Sequence, residues 1–207
     1  MQAVVIKCTL RAQSSTVRAS ATSFQEIETS LKPGGGKTKG SGWERTCCEI
    51  LSLWLSKGER KDLICRTVGS GGQFTSSAQR GTIKGLAGDL RAQDGIEAFK
   101  FFERTVTECK FWADLELVKF LLQSGELYEA MQKVKKEAEQ TEKPNWWLLA
   151  KQNNRQPLLF TQCDFNGNAG FKYPLEKLRY HLLFNASVFM FTLDEFVKVV
   201  DPAELLK

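Results

Sequence analysis

Two kinds of periodicity run along the chain. Over residues 42–56 apolar side chains recur at i, i+3, i+4 and i+7, with Cys47, Ile50, Leu51 and Trp54 on one stripe, which predicts an amphipathic helix. The same spacing returns at Leu127, Met131, Val134 and Ala138, predicting a second long helix within residues 125–142 that Pro144 ends. Lys133, Lys135 and Lys136 fall on its outer side. Shorter helices are expected at residues 22–32, where Phe24, Ile27 and Leu31 share a face ahead of Pro33, at 114–123, and in the C-terminal DEFVKVV. Between them lie β-favouring runs: residues 3–10, DLICRTV, TVTECKF, NWWLLAK, QPLLFTQ, LRYHLLF and SVFMFTL. Turns are expected at Gln93-Asp94-Gly95, at Gln152 to Arg155 and in DFNGNAGFKYP. IEAFKFFERT fits either a strand or a turn of helix. The mixture of strands and helices predicts an α/β domain with a mixed central sheet and flanking helices.

Composition narrows this picture. A chain of 207 residues with 42% apolar content can bury one sizeable core. No apolar run reaches the roughly eighteen residues of a membrane span, so a soluble protein is expected, in the cytoplasm of a bacterial, archaeal or phage-infected host. The six cysteines include no CxxC pair and there is a single histidine, so no zinc-ligand spacing exists and free, mostly buried thiols are expected. The net charge of +5 is uneven, because the first 25 residues carry three basic and no acidic side chains. That asymmetry favours a polyanionic partner. It also reads as an organellar transit peptide, against the plainer reading of a first strand followed by a Ser/Thr-rich segment.

The candidate chemistry centres on Asp89, Glu108 and Lys110. In a strand successive side chains alternate faces, so Glu108 and Lys110 point one way while Thr107 and Cys109 point the other. If Asp89 ends a neighbouring strand on that face, the two carboxylates can hold one or two Mg²⁺ ions, which take oxygen ligands and keep several waters. Lys110 then orients or deprotonates the attacking water. Upstream, PGGGKTKGSGW reads as a flexible basic lead-in to the first helix, in which Lys37 and Lys39 touch a nucleic-acid backbone. Its order of glycines and lysines does not match a phosphate-binding GxxxxGK[ST] loop. Glu44 lies at the edge of the buried stripe, either complementing the helix N-terminus or adding a metal or water ligand. The glycine loop Gly69 to Gly72, with Thr75, Ser76, Ser77, Arg80 and Lys84 beyond it, reads as a segment able to close over a phosphate. Trp146 and Trp147 are adjacent in a strand and face opposite sides, so at least one is core and base stacking is the minor alternative. His181, flanked by apolar residues, is expected to be a core residue without a catalytic role.

Taken in order, KGSGWER, RTVGSGG, GDL and ECK resemble the motif succession of the PD-(D/E)xK nuclease superfamily, closest in layout to archaeal-type Holliday-junction resolvases and phage-encoded nucleases similar to them. The resemblance covers about residues 37–160. It implies a restriction-endonuclease-like core at 37–161 between an N-terminal extension (1–36) and C-terminal strands and helix (162–207) that extend the core or form an interface. It implies a DNA endonuclease in which Glu44, Asp89, Glu108 and Lys110 form the active site, and Asp89, Glu108 and Glu44 hold Mg²⁺, with Mn²⁺ able to substitute. Arg66 and Ser70 are the implied phosphate contacts, joined by Lys37, Lys39, Lys151 and Arg155 as basic candidates. Paired cutting of a junction further implies a homodimer. The sequence departs from the pattern in having Gly88 where the superfamily's name has proline, and in extending beyond the resolvases' length from about Gln162. The alternative is a non-catalytic nucleic-acid-binding protein that retains the fold.

Overall fold

The structure, a computed structural model, describes residues 36–67, 87–162, 171–184 and 187–206. The expected strand at 3–10, the helix at 22–32, the transit-peptide reading and the glycine loop with Ser70, Thr75, Ser76, Ser77, Arg80 and Lys84 lie outside those residues. Helix α1 (Gly36–Leu55) leads to a small antiparallel pair, β1 (Ile64–Arg66) and β2 (Leu90–Ala92). Then come α2 (Ile96–Arg104), β3 (Thr105–Trp112), α3 (Leu117–Leu121), α4 (Gly125–Gln140), β4 (Asn145–Gln152), β5 (Leu158–Gln162), β6 (His181–Leu183), β7 (Val188–Thr192), α5 (Leu193–Val199) and α6 (Pro202–Leu205). The main sheet has the order β3-β4-β5-β7-β6, with β3 and β4 parallel and the remaining neighbours antiparallel. This is the expected α/β architecture.

Strand β4 explains why NWWLLAK shows no alternation. It lies between β3 and β5 with both faces covered, so its residues from Asn145 to Lys151 are all buried. Trp146, Leu148 and Ala150 face a core made with the apolar stripe of α4, including Leu127, Met131, Val134 and Ala138. Trp147 points the opposite way into an aromatic cluster with Trp54, Phe101, Phe171 and Phe196. Both tryptophans are therefore core, and base stacking by either is ruled out.

Helix α1 packs against β1 and β3 on this second face. It starts at Gly36, so the expected flexible lead-in is helical from that residue and Lys37 and Lys39 lie in its first turn. Trp43 anchors it, fully buried with its indole N–H donated to the Leu149 carbonyl at 3.0 Å, while Trp54 donates to the Val200 carbonyl at 2.7 Å. Two fixed tryptophans offset the helix penalty of Gly40 and Gly42, about 1 kcal/mol each. Residues 96–104, open between strand and helix, are helical because Ala98, Phe101 and Phe102 bury one face while Phe99 stays out. Cys47, Cys48 and Cys109 are buried free thiols, and burial pushes the Cys48 thiol up to about 12. His181 corrects the expectation of a core histidine. It is exposed, because among the described residues β6 is the last strand of the sheet and has a neighbour on one side only.

Tyr173 ties the aromatic cluster together: its hydroxyl accepts the Trp147 indole N–H at 3.1 Å and lies 3.1 Å from the Thr161 hydroxyl. Burial pushes its ionisation up to about 12. Tyr173→Phe leaves the indole N–H buried without an acceptor and is expected to cost about 1–3 kcal/mol in urea unfolding. The raised value means the folded state resists forming the phenolate, so this residue's contribution is complete below the ordinary tyrosine range near 10 and is lost as pH rises toward 12. The wild type should therefore lose stability more steeply than the variant in that window.

Candidate active site

Strand β3 carries Glu108 and Lys110 on one face and Thr107 and Cys109 on the other, as period-two geometry requires. Cys109 meets Cys47 of α1. Glu108 turns toward α4, completely buried. Its Oε1 accepts from two ammonium groups, Lys110 Nζ at 2.6 Å and Lys133 Nζ at 2.8 Å. Its Oε2 is buried and has no hydrogen-bond partner among the described residues. Leaving a charged oxygen so exposes the fold to a desolvation cost of roughly 1–3 kcal/mol or more, which a ligand would relieve.

Asp89 sits immediately before β2, opening that strand where the sequence had placed it at a strand end. Its main chain bridges the two sheets: the Asp89 N–H donates to the Thr107 carbonyl at 2.7 Å, and its carbonyl accepts from Thr67 N–H at 2.8 Å. Its Oδ2 accepts the Cys109 N–H at 2.8 Å, so the buried carboxylate is fixed beside the strand that bears Glu108. The turn before it needs Gly88, at φ +82°, whose N–H donates to Glu137 Oε2 at 3.1 Å.

Electrostatics binds these groups into one cluster. Burial pushes the Glu108 carboxyl up, but Lys110 and Lys133 together outweigh it and hold Glu108 below the usual glutamate range. Burial pushes both lysines down, and Glu108 more than compensates, with Asp89 adding to the effect. Glu137 is raised, by burial first and by Glu108 nearby, with Lys133 and the Gly88 amide offsetting part. Lys133 and Glu137, one helical turn apart on α4, thus reach Glu108 and the Gly88-Asp89 turn respectively. Sequence reading placed Lys133 on the solvent side and passed over Glu137. The usable signal was position 137, a carboxylate three residues after Val134 and so inside the apolar stripe.

The other candidates are dispersed. Glu44 does not join Asp89 and Glu108 in one donor set, because it comes from α1 on the Cys109 face and its Oε2 is ion-paired with Arg66 Nε. Arg66, on β1, is thereby engaged with a carboxylate, and it lines an open cavity of about 450 Å³ together with Arg45 and Lys61. Lys151 is nearly buried, its ammonium 5.5 Å from the Trp43 ring centroid, so its position at the end of β4 does not present it as a surface phosphate contact. Arg155 is exposed in the turn after β4.

Two carboxylates nearly excluded from water, one with an orphaned oxygen, suit a hard dication that takes oxygen ligands and retains water. Among the described residues no three acidic, cysteine or histidine side chains converge on one point. A bound ion would therefore be held by Asp89 and Glu108 with water completing its shell, a pattern typical of Mg²⁺. Among the described residues no helix is long and apolar enough to cross a membrane.

The family model described as "Phage putative PDDEXK endonuclease" matches residues 35–207. No curated protein and no solved structure matches the chain significantly. A match over most of the chain, joined to a mixed sheet that sets an acid-x-lysine pair beside an aspartate, places the restriction-endonuclease-like fold, and the chain belongs to this phage family of PD-(D/E)xK endonucleases.

Proposed function

We propose that the chain is a Mg²⁺-dependent DNA endonuclease that hydrolyses phosphodiester bonds, with Asp89 and Glu108 holding the metal and Lys110 orienting the attacking water. The observation that carries this reading is the buried Glu108 carboxylate, which has Lys110 at 2.6 Å, an oxygen without a hydrogen-bond partner among the described residues, and Asp89 fixed on the next residue's amide. When bound, the dication supplies Lewis acidity, lowering the pKa of a coordinated water and polarising the scissile phosphate; Mn²⁺ offers the same chemistry. Asp89 is held in place by the Cys109 N–H, which fixes its carboxylate beside the strand that carries Glu108. Lys110 is about one-third exposed, so its ammonium can turn from Glu108 to a water or phosphate oxygen without unfolding the strand. Lys37, Lys39, Arg66, Ser70 and Arg155 are the proposed backbone contacts, with Arg66 available once it exchanges Glu44 for a phosphate, and Glu44 acts through Arg66.

The substrate we favour is branched, Holliday-junction-like DNA, supported by the order of the KGSGWER, RTVGSGG, GDL and ECK segments. Paired cuts need two such sites related by a two-fold axis. A second copy of the chain has an apolar surface to meet: Val118 and Leu121 of α3 and Leu122 just after it are exposed, and α3 meets the residue following β6 through the Phe120–Phe184 ring contact. The test is incubation with four-way junction, single-stranded and linear duplex DNA, with and without Mg²⁺, alongside light scattering at micromolar concentration. Metal-dependent cutting that favours the junction, by a dimer, is expected. No cleavage of any substrate in Mg²⁺ or Mn²⁺ would leave only a nucleic-acid-binding role, and a strict monomer with and without junction would remove paired cutting.

A further inference from the structure

Among the described residues, Lys133 is the one charged group that contacts the Glu108 carboxylate from outside β3. It projects from α4 and places Nζ 2.8 Å from Glu108 Oε1 and 3.6 Å from Glu137 Oε1. Its side chain is 43% exposed, so the ammonium stands at the mouth of the cluster, between the buried carboxylates and solvent. Lys110 occupies the same oxygen from the strand side. One ammonium already balances the charge of Glu108, and a second on the same oxygen adds repulsion between like charges. We propose that Lys133 is a second active-site lysine, which screens Glu108 in the metal-free protein and, once a dication takes Glu108, contacts the scissile phosphate beside Lys110.

The charge balance explains the need for it. Asp89, Glu108 and Glu137 ionised, against Lys110 and Lys133, leave one net negative charge in the cluster. A bound dication reverses that sign, and the site then attracts the single negative charge of a phosphodiester. Without Lys133 the loaded site is neutral and the attraction is lost. The same lysine competes with the dication for Glu108 Oε1 and repels it, so its removal should act in opposite directions on the two ligands. Oε2, buried and without a hydrogen-bond partner among the described residues, is the Glu108 oxygen that neither ammonium occupies.

This inference rests on the nuclease reading, and the experiment separates the two. In Lys133→Met, which keeps an unbranched helix-forming side chain, calorimetric titration with Mn²⁺ should show binding at least about fivefold tighter than wild type, since one cation a few ångströms away has gone. Cleavage of junction DNA at saturating Mg²⁺ should slow by at least about tenfold, and binding of the same DNA in Ca²⁺ should weaken. Lys133→Arg keeps the charge and should fall between the two. Tighter Mn²⁺ binding with unchanged cleavage and DNA affinity would overturn the proposal, making Lys133 only a counter-charge for Glu108. Unchanged Mn²⁺ binding would overturn it as well. Should Lys133→Met fail to fold, the same three measurements on Lys133→Gln decide. A wild type that neither binds Mn²⁺ nor cuts DNA removes the nuclease reading and this inference with it, whereas a cutting wild type matched by both variants removes the inference alone.

Discussion

Glu108→Gln and Asp89→Asn are each expected to reduce metal-dependent DNA cleavage at least about a hundredfold while leaving the protein folded. The two changes remove charge and keep shape. In Asp89→Asn the remaining side-chain oxygen still accepts the Cys109 N–H, so the junction between β2 and β3 survives. In Glu108→Gln the amide oxygen can accept only weakly from the two ammonium groups, and a neutral amide is a poor ligand for a hard dication. Lys110 and Lys133 are 36% and 43% exposed, so each can rotate into water once Glu108 is uncharged. The fold should therefore lose little, while the site loses the ligand on which the metal depends. Cleavage of a labelled junction and a thermal melt of each variant measure the two quantities separately. Full activity of either variant at saturating Mg²⁺ would remove these residues from the site, and a collapsed melt would show that their charge is needed to hold the sheet together.

The shared face of Glu108 and Lys110 was legible in the sequence because strand geometry has a period of two and admits no other arrangement. The stripes of α1 and α4 were legible for the same kind of reason. What stayed hidden depends on how elements rotate against each other. Lys133 looks solvent-facing beside Lys135 and Lys136, and only the docking of α4 onto β3 turns its tip to Glu108. Glu44 looks like a third ligand until α1 is seen to pack on the Cys109 face, where Arg66 meets it. The glycine-rich PGGGKTKGSG stretch reads as a loop by local propensity, and the helix from Gly36 is supported by tertiary anchors, Trp43 and Trp54, whose acceptors lie more than a hundred residues away. His181 was misjudged because apolar neighbours in sequence do not reveal whether a strand lies inside a sheet or at its limit.

Gly88→Pro, which would restore the proline of the superfamily's name, is expected to be worse for the enzyme than Gly88→Ala, and both should be inactive. Gly88 has φ +82°, whereas a proline ring fixes φ near −65°, so the turn cannot form around it. Proline also lacks the N–H that Gly88 donates to Glu137 Oε2, the link between α4 and this turn. Any side chain meets a second obstacle: a Cβ at this position would lie 2.6 Å from the Thr107 carbonyl oxygen and 3.0 Å from its nitrogen. That carbonyl is the acceptor for Asp89 N–H at 2.7 Å, so relieving the clash pulls Asp89 off β3 and away from Glu108. Both variants should lose at least about a hundredfold in cleavage, with a destabilisation of about 2 kcal/mol or more from the forced backbone. Gly58 provides the comparison, since its φ is +95° but nothing lies within 4 Å of its Cβ position. Gly58→Ala should cost only the backbone strain and leave cleavage at the wild-type rate. If Gly88→Pro cuts as fast as wild type, then Asp89 does not depend on this turn for its position, and the bridge from Asp89 to Thr107 is not what holds the carboxylate pair together.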